Sequence, residues 1–216
     1  MSDLVATRAG IRIHADSARV SALREEFATR HVLRLPRFLD AELLERARRE
    51  IAGGTFIPRE DEGIAVELNL PESRALDLLL FAMHSPALFA FIRSITSCES
   101  IGGFTGRIYR FDPHTPHHDS WHDDTAGGTG DRLIGFSLNL GSAYRGGVFQ
   151  LRRKEAPEEI VEIANTGEGD AFLFRIAREL EHRVTPVIGE HAKTAFAGWF
   201  RAGVFDPRAL FAEATT

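Results

Sequence analysis

The sequence lacks several features, and each absence removes a class of protein. It has a single cysteine, Cys98, so an internal disulfide is impossible, which is typical of proteins in the reducing cytoplasm. Its 26 basic and 31 acidic residues give a net charge of −5 without a basic tract, so no nucleic acid and no membrane is expected as a partner. The start has no signal peptide, and no apolar run is long enough to span a bilayer. We therefore expect a soluble, cytoplasmic protein.

The chain does have enough apolar material for one domain with a sizeable core. Of its 216 residues 44% are hydrophobic, and 16 are phenylalanine, which favours a single domain over 1–216. Apolar periodicity in the first part predicts a mixed and mostly helical support region over 1–100. The elements predicted there are helices over 17–30, 40–49, 72–84 and 86–97, and strands over 31–38, 55–57 and 64–70, with a charged turn at 59–63.

From Ile101 onward the apolar residues alternate with a period of two, which is typical of half-buried strands. The predicted strands cover 102–111, 117–122, 132–140, 147–153, 158–164, 170–177, 182–188 and 192–201. Many short strands at such spacing favour a sandwich or a closed barrel over a parallel sheet. The expected fold class is α+β and mainly β, with a core over 101–201 and a C-terminal segment over 202–216 in which 206–213 can close as a helix.

Two separated signals of metal ligation lie in this β region. In Trp121-His122-Asp123-Asp124, the side chains of His122 and Asp124 point to the same side of an extended strand end. His182 follows within a later strand. Two imidazoles and one carboxylate with open coordination positions form the facial triad of non-haem Fe(II) oxygenases.

A second placement of the motif competes with the first, because four of the nine histidines lie within residues 114–122. His117-His118-Asp119 has the same His-x-Asp spacing. We favour His122 and Asp124, since strand-like sequence continues after Asp119 whereas Asp124 is followed at once by the glycine-rich turn at 127–130. His117 and His118 then become candidates for substrate contacts or for surface residues, and Arg110 is a further candidate for a polar contact with the substrate.

A cation for an acidic ligand follows at Lys193. Lys193, Ala195, Ala197 and Trp199 alternate onto one narrow and mostly apolar face. A lysine at the end of such a face suits the far carboxylate of a dicarboxylate. Arg201 is the rival cation, but eight residues of strand separate it from Lys193 by roughly 26 Å.

Five segments in this order resemble the core of the 2-oxoglutarate- and Fe(II)-dependent oxygenases, of the prolyl-hydroxylase-like branch. They are Trp121 to Asp124, Gly146 to Arg152, Gly169 to Phe174, His182 to Pro186, and Lys193 to Trp199. The resemblance covers about residues 101–201. It implies a double-stranded β-helix, or jelly roll, with Fe(II) on His122, Asp124 and His182. It also implies that Lys193 binds the cosubstrate 2-oxoglutarate, and it offers Tyr109 as a second contact.

The resemblance further implies a hydroxylase that uses Fe(II), 2-oxoglutarate and O2, and that releases succinate and CO2. The expected substrate is a small molecule or a peptidyl side chain with an unactivated C–H bond. Two alternatives stay open: a degenerate relative that binds 2-oxoglutarate as a sensor, and a cupin-like metal-binding protein. The second usually carries a His-x-His pair on its first ligand strand, which this sequence lacks there.

Overall fold

A computed structural model describes residues 2–61, 63–125 and 131–203 of the chain. Within these ranges it contains four helices and fifteen strands. The helices are α1 (Ser17–Arg30), α2 (Ala41–Ala52), α3 (Arg74–Met83) and α4 (Pro86–Thr96). The strands are β1 (Leu4–Thr7), β2 (Gly10–Ile13), β3 (Val32–Leu35), β4 (Ile57–Asp61), β5 (Ala65–Leu70), β6 (Ile101–Phe111), β7 (His118–His122), β8 (Arg132–Asn139), β9 (Arg145–Gly146), β10 (Phe149–Arg153), β11 (Ala156–Ile163), β12 (Ala171–Arg175), β13 (Leu180–Val184), β14 (Val187–Ile188) and β15 (Lys193–Ala202).

The helices begin where the sequence offers a capping side chain. Asp40 accepts a hydrogen bond from the backbone N–H of Leu43 at 2.8 Å, as the sequence predicts for α2. Asp16 and Ser73 cap α1 and α3 in the same way, and Pro86 opens α4. No single helix among the described residues is long and apolar enough to cross a membrane. The bent pair α3 and α4 passes that test only when joined, by length and composition, across a bend of 60°.

One antiparallel sheet of eleven strands dominates the fold and curls on itself. Its order is β11, β10, β13, β7, β5, β6, β15, β8, β12 and β3, with β4 paired to β5. The strands β10 and β12 are far apart in this order, yet the rings of Phe149 and Phe172 on them have centroids 4.7 Å apart. The two arms of the sheet therefore face each other, in the arrangement of a jelly roll.

The curled sheet buries two separate sets of apolar residues. The outer core lies between the sheet and the helices, and includes Phe27, Ile92, Phe104, Phe136, Phe196 and Phe200. The inner core lies between the two arms of the sheet, and includes Tyr109, Phe111, Phe149, Phe172, Phe174 and Val184. Because side chains alternate along a strand, the same strands supply both cores.

The predicted helices and the strands after Ile101 are found in the structure, with two differences in the first part of the chain. The charged segment predicted as a turn at 59–63 contributes Arg59 to Asp61 to strand β4, and a hairpin of β1 and β2 was not predicted. Strands β3 and β5 also join the main sheet, so 1–100 contributes to it as well as helices. The predicted helix at 206–213 and the glycine-rich turn at 127–130 lie outside the described residues.

Candidate active site

The two predicted histidine ligands are neighbours inside the curl of the sheet. Strands β7 and β13 pair with His122 directly opposite His182. Their ring centroids are 4.2 Å apart, and His182 is buried. The rings of Phe149 and Phe174, at 5.7 and 4.5 Å from the His182 ring, fix it by packing.

Asp124 faces both histidines from the turn that follows β7. Its Oδ1 lies 3.5 Å from Nε2 of His122, and its Oδ2 lies 3.5 Å from Nε2 of His182. The backbone turns here through the left-handed region (φ 59°), which aspartate tolerates better than most residues. Trp199 donates a hydrogen bond to Oδ2 at 2.6 Å and Arg132 donates to Oδ1 at 3.2 Å, so both oxygens are oriented.

A second carboxylate, Asp119, competes with Asp124 for a place in a metal site. Single ligand atoms of Asp119, His122 and His182 lie within 4.8 Å of one another. However, Asp119 Oδ1 approaches Nδ1 of His122, at 3.3 Å, and that nitrogen also lies 2.8 Å from the carbonyl of Ser120. A carbonyl only accepts, so Nδ1 carries a proton and Nε2 is the nitrogen free for a metal. We therefore favour the set in which both Nε2 atoms face one carboxylate, which is that of Asp124.

The ionisation of the four groups suits this arrangement. Burial lowers the pKa of His182 to about 3, and the charge of His122 adds to the effect. Burial also lowers the pKa of His122, but the hydrogen bond to Asp124 and the charges of Asp119 and Asp124 outweigh it and raise this pKa to about 9. Burial opposes ionisation of Asp124, yet hydrogen bonds and the charges of both histidines hold its pKa well below the usual range. Burial raises the pKa of Asp119 to about 6.

This donor set fits a divalent iron ion. Two imidazole nitrogens and one carboxylate on one side leave the opposite side open, which is the facial arrangement of non-haem Fe(II) sites. Asp124 is already ionised and His182 is already neutral, as metal ligands must be. His122 has to release a proton when a metal binds to it.

A cavity of about 350 Å³ opens next to these groups. Its wall includes the histidines and Asp124, and at one end the rings of Tyr109 and Phe111. Lys193 lies against these two rings, with Nζ at 5.8 and 5.9 Å from their centroids, and it is buried. Its ammonium group donates to the carbonyl of Gly147 at 3.0 Å.

The other predicted residues lie in different positions. Arg201 is at the opposite end of β15 from Lys193, where it pairs with Asp131 at 2.6 Å. His117 accepts a hydrogen bond from the backbone N–H of Asp112 at 2.9 Å, and the structure does not group it with the ligand candidates. Arg110 stacks on the ring of Phe56 at 3.9 Å.

Several residues that line the cavity were not singled out from the sequence. Arg132 stacks on Trp199 at 3.9 Å while it holds Asp124. The buried Glu67 of β5 accepts two hydrogen bonds from Arg107 of β6, at 2.7 and 2.9 Å, in the cavity wall. Alternation along β15 had placed Trp199 on the face of Lys193, but its contact with Asp124 was not predicted. The pairing of β5 with β6 is not readable from local sequence.

Comparison with known structures agrees with this architecture. A prolyl-4-hydroxylase from Pseudomonas putida is 20% identical, with a TM-score of 0.65 over 85% of this chain and 99% of that chain. A prolyl hydroxylase from Trichoplax adhaerens, solved with a hypoxia inducible factor peptide fragment, is 15% identical, with a TM-score of 0.65 over 88% and 94%. The α-ketoglutarate dependent epimerase SnoN from nogalamycin biosynthesis is 11% identical, with a TM-score of 0.62 over 85% and 82%. At such low identity these likenesses show the fold, a double-stranded β-helix. No curated protein matches the sequence.

The family follows from a separate match. Residues 107–201 fit the family model described as the 2OG-Fe(II) oxygenase superfamily. This match over 107–201 confirms the resemblance seen in the sequence, and the fold is like that of solved prolyl hydroxylases, the branch that the sequence indicates. The protein is an Fe(II)- and 2-oxoglutarate-dependent dioxygenase, and its cofactor, cosubstrate and oxidant are Fe(II), 2-oxoglutarate and O2.

Proposed function

We propose that the enzyme hydroxylates an unactivated C–H bond of a small molecule or a peptidyl side chain, with His122, Asp124 and His182 as its iron ligands. The observation that carries this proposal is the convergence of both histidine Nε2 atoms, each at 3.5 Å, on the two oxygens of Asp124 at the wall of a cavity. When bound, Fe(II) with 2-oxoglutarate and O2 supplies the oxidation of the C–H bond, with release of succinate and CO2.

The chain's own residues hold this site and keep its geometry. Trp199 and Arg132 each donate a hydrogen bond to one oxygen of Asp124. These two bonds hold the orientation of the carboxylate both with and without a bound metal. The rings of Phe149 and Phe174 pack against His182 and keep water from it. Such fixed groups place a substrate C–H bond without further ordering cost during the reaction.

Lys193 is the proposed partner of the far carboxylate of 2-oxoglutarate. Its charge is buried, and a neutral carbonyl is the hydrogen-bond acceptor that it contacts. A carboxylate is a stronger partner for a buried ammonium than a carbonyl is. The rings of Tyr109 and Phe111 line the cavity and lie next to Nζ, so Tyr109 is proposed as a second contact of the cosubstrate. Arg201, bound to Asp131 at the other end of β15, is the weaker candidate.

Substrate selection is proposed to lie at the mouth of the cavity. Arg59 and Asp61 of the β4–β5 hairpin line the cavity, as do Asp123 and Asp124 directly after β7. Among the similar structures, one prolyl hydroxylase is in complex with a peptide fragment and another protein is an epimerase, so proteins of this fold differ in the reaction that they catalyse.

The test is turnover by the purified, iron-loaded protein with a panel of peptides and metabolites. Hydroxylation predicts succinate together with a product heavier by one oxygen atom. Succinate together with a product of unchanged mass would instead indicate epimerisation, as in the protein named above. A 2-oxoglutarate sensor would bind the cosubstrate and form no succinate with or without substrate, and this outcome would refute the proposal.

A further inference from the structure

Asp119 is a buried carboxylate that the proposed iron site does not use as a ligand. It lies on β7, between Ala65 of β5 and Val184 of β13, its partners in the two neighbouring strands. Only 17% of its side chain is exposed, and it lines the cavity. Its Oδ1 is 3.3 Å from Nδ1 of His122, on the side of the ring away from Asp124.

We propose that Asp119 is a positioning residue that orients the His122 ring and strengthens Nε2 of that ring as a metal ligand. The inference rests on the ligand set of the proposed function. Histidines that bind metals commonly donate their other ring N–H to a carboxylate or a carbonyl, which fixes the tautomer and makes the ligand nitrogen more basic. Here the Ser120 carbonyl accepts the hydrogen bond of Nδ1 at 2.8 Å, and the Asp119 carboxylate lies 3.3 Å from the same nitrogen as an ion-pair partner.

The two histidines are held in different ways, which is why the carboxylate is assigned to one of them. His182 packs against the rings of Phe149 and Phe174, two residues of the inner core, and is buried. His122 lies at the end of β7, where the chain leaves the sheet, and 17% of its side chain is exposed. A ring at a strand end with less packing needs a hydrogen-bond partner to hold its orientation.

The experiment measures the affinity of the metal-free protein for Co(II), a spectroscopic stand-in for Fe(II), in Asp119→Ala and Asp119→Asn. Loss of the orienting carboxylate should weaken binding about 10- to 100-fold in Asp119→Ala. The effect should be smaller in Asp119→Asn, whose amide oxygen still accepts from Nδ1. Asp123→Asn is the matched control, because Asp123 is a half-buried carboxylate of the same segment that pairs with Lys154 and Thr125, and the affinity of this variant should stay at the wild-type value.

Two further readouts separate this role from a structural one and from direct ligation. The melting temperature of the metal-free protein should change little in Asp119→Asn, whereas a structural role would lower it. At saturating Co(II), the visible absorption of Asp119→Ala should keep the wild-type pattern, because the ligand atoms are the same. Unchanged affinity in both variants would overturn the proposal.

A third result would overturn both this proposal and the ligand set. If Asp119→Ala binds no Co(II) while Asp124→Ala still does, Asp119 is the ligand itself. Failure of the reaction assignment would look different, because wild-type protein would then bind Co(II) normally and form no succinate.

Discussion

The two faces of strand β15 perform different tasks with side chains that alternate along one backbone. On the outer face, Phe196 and Phe200 are fully buried against Phe104 and Phe136, with ring centroids 5.0 to 6.3 Å apart. On the inner face, Ala197 and Trp199 line a cavity of about 350 Å³, and Lys193 is buried beside the Tyr109 and Phe111 rings of its wall. One face is filled by aromatic rings, and the other leaves space.

The difference teaches where stability and chemistry lie in this fold. Close-packed rings gain dispersion and hydrophobic free energy, and they tolerate no change of volume. A cavity gives up that gain so that ligands can enter it. Mutations on the outer face should therefore change the free energy of unfolding, and mutations on the inner face should change binding and turnover.

The largest expected effect is on the inner face and tests the iron ligands. His122→Ala, Asp124→Ala and His182→Ala should each abolish Fe(II)-dependent succinate formation while the circular dichroism spectrum stays that of the wild type. The reason is that the histidines lie on strands whose pairing and packing do not depend on the metal. His117→Ala is the control and should retain turnover. Turnover by His122→Ala, together with its loss in His117→Ala, would move the motif to His117 and Asp119.

The next prediction compares the same substitution on both faces. Phe196→Ala removes a ring that lies against Phe104 and Phe136 in the outer core, and it should cost about 3–5 kcal/mol of unfolding free energy. Phe172→Ala removes an inner ring that already borders the cavity, so the new space joins an existing one and the cost should be smaller. Denaturant unfolding of the metal-free protein measures both. Equal losses of unfolding free energy in the two variants would contradict the view that the inner core is less tightly packed than the outer core.

The third prediction removes the buried charge of the inner face. Lys193→Met keeps most of the length of the side chain without its charge and should weaken 2-oxoglutarate binding by about 2–5 kcal/mol, the usual cost of breaking a buried charge pair. Binding of Co(II) should be unchanged, because Lys193 is not a proposed ligand and its Nζ contacts the Gly147 carbonyl and the rings of Tyr109 and Phe111. Calorimetric titration of the metal-loaded protein measures both affinities. An unchanged affinity for 2-oxoglutarate would favour another cation as its partner, either Arg201 or Arg183, which follows His182 on β13.

Much of the fold was predictable because its signals are local. Helix α1 begins and ends at the predicted residues. Its capping residue Asp16 and its buried residues Leu23 and Phe27 all lie within or next to the helix itself, so the signal is local. Pairing between distant strands is not local. The addition of β3 to β12, and of the β4–β5 hairpin to β6 and β7, depends on contacts between residues far apart in sequence.

For the candidate site too, local patterns in the sequence indicated some residues, whereas contacts between distant strands were not predicted. Strand alternation and spacing indicated His122, Asp124, His182 and Lys193, and the fold brings the first three together. The residues that support them were missed. Trp199 and Arg132 reach Asp124 from β15 and β8, and a sequence does not show that two strand ends meet at one carboxylate.

The smallest expected effect is a pH dependence of the affinity for 2-oxoglutarate. It tests whether the charge of Lys193, on the inner face of β15, binds the cosubstrate. Burial lowers the pKa of Lys193 to about 7, and the charge of Asp119 offsets only part of this. The free protein therefore carries a neutral lysine at pH 8, while a bound carboxylate favours the charged form, so binding has to take up a proton. Affinity for 2-oxoglutarate should be flat below about pH 7 and should fall by up to about tenfold per pH unit above it.

Calorimetry of the metal-loaded protein in buffers of different ionisation enthalpy should detect an uptake of nearly one proton at pH 8. Lys193→Arg, whose guanidinium stays charged throughout, is the control and should lose both the slope and the proton uptake. If the slope persists in Lys193→Arg, the titrating group is among the metal ligands, and the charge of Lys193 does not limit binding.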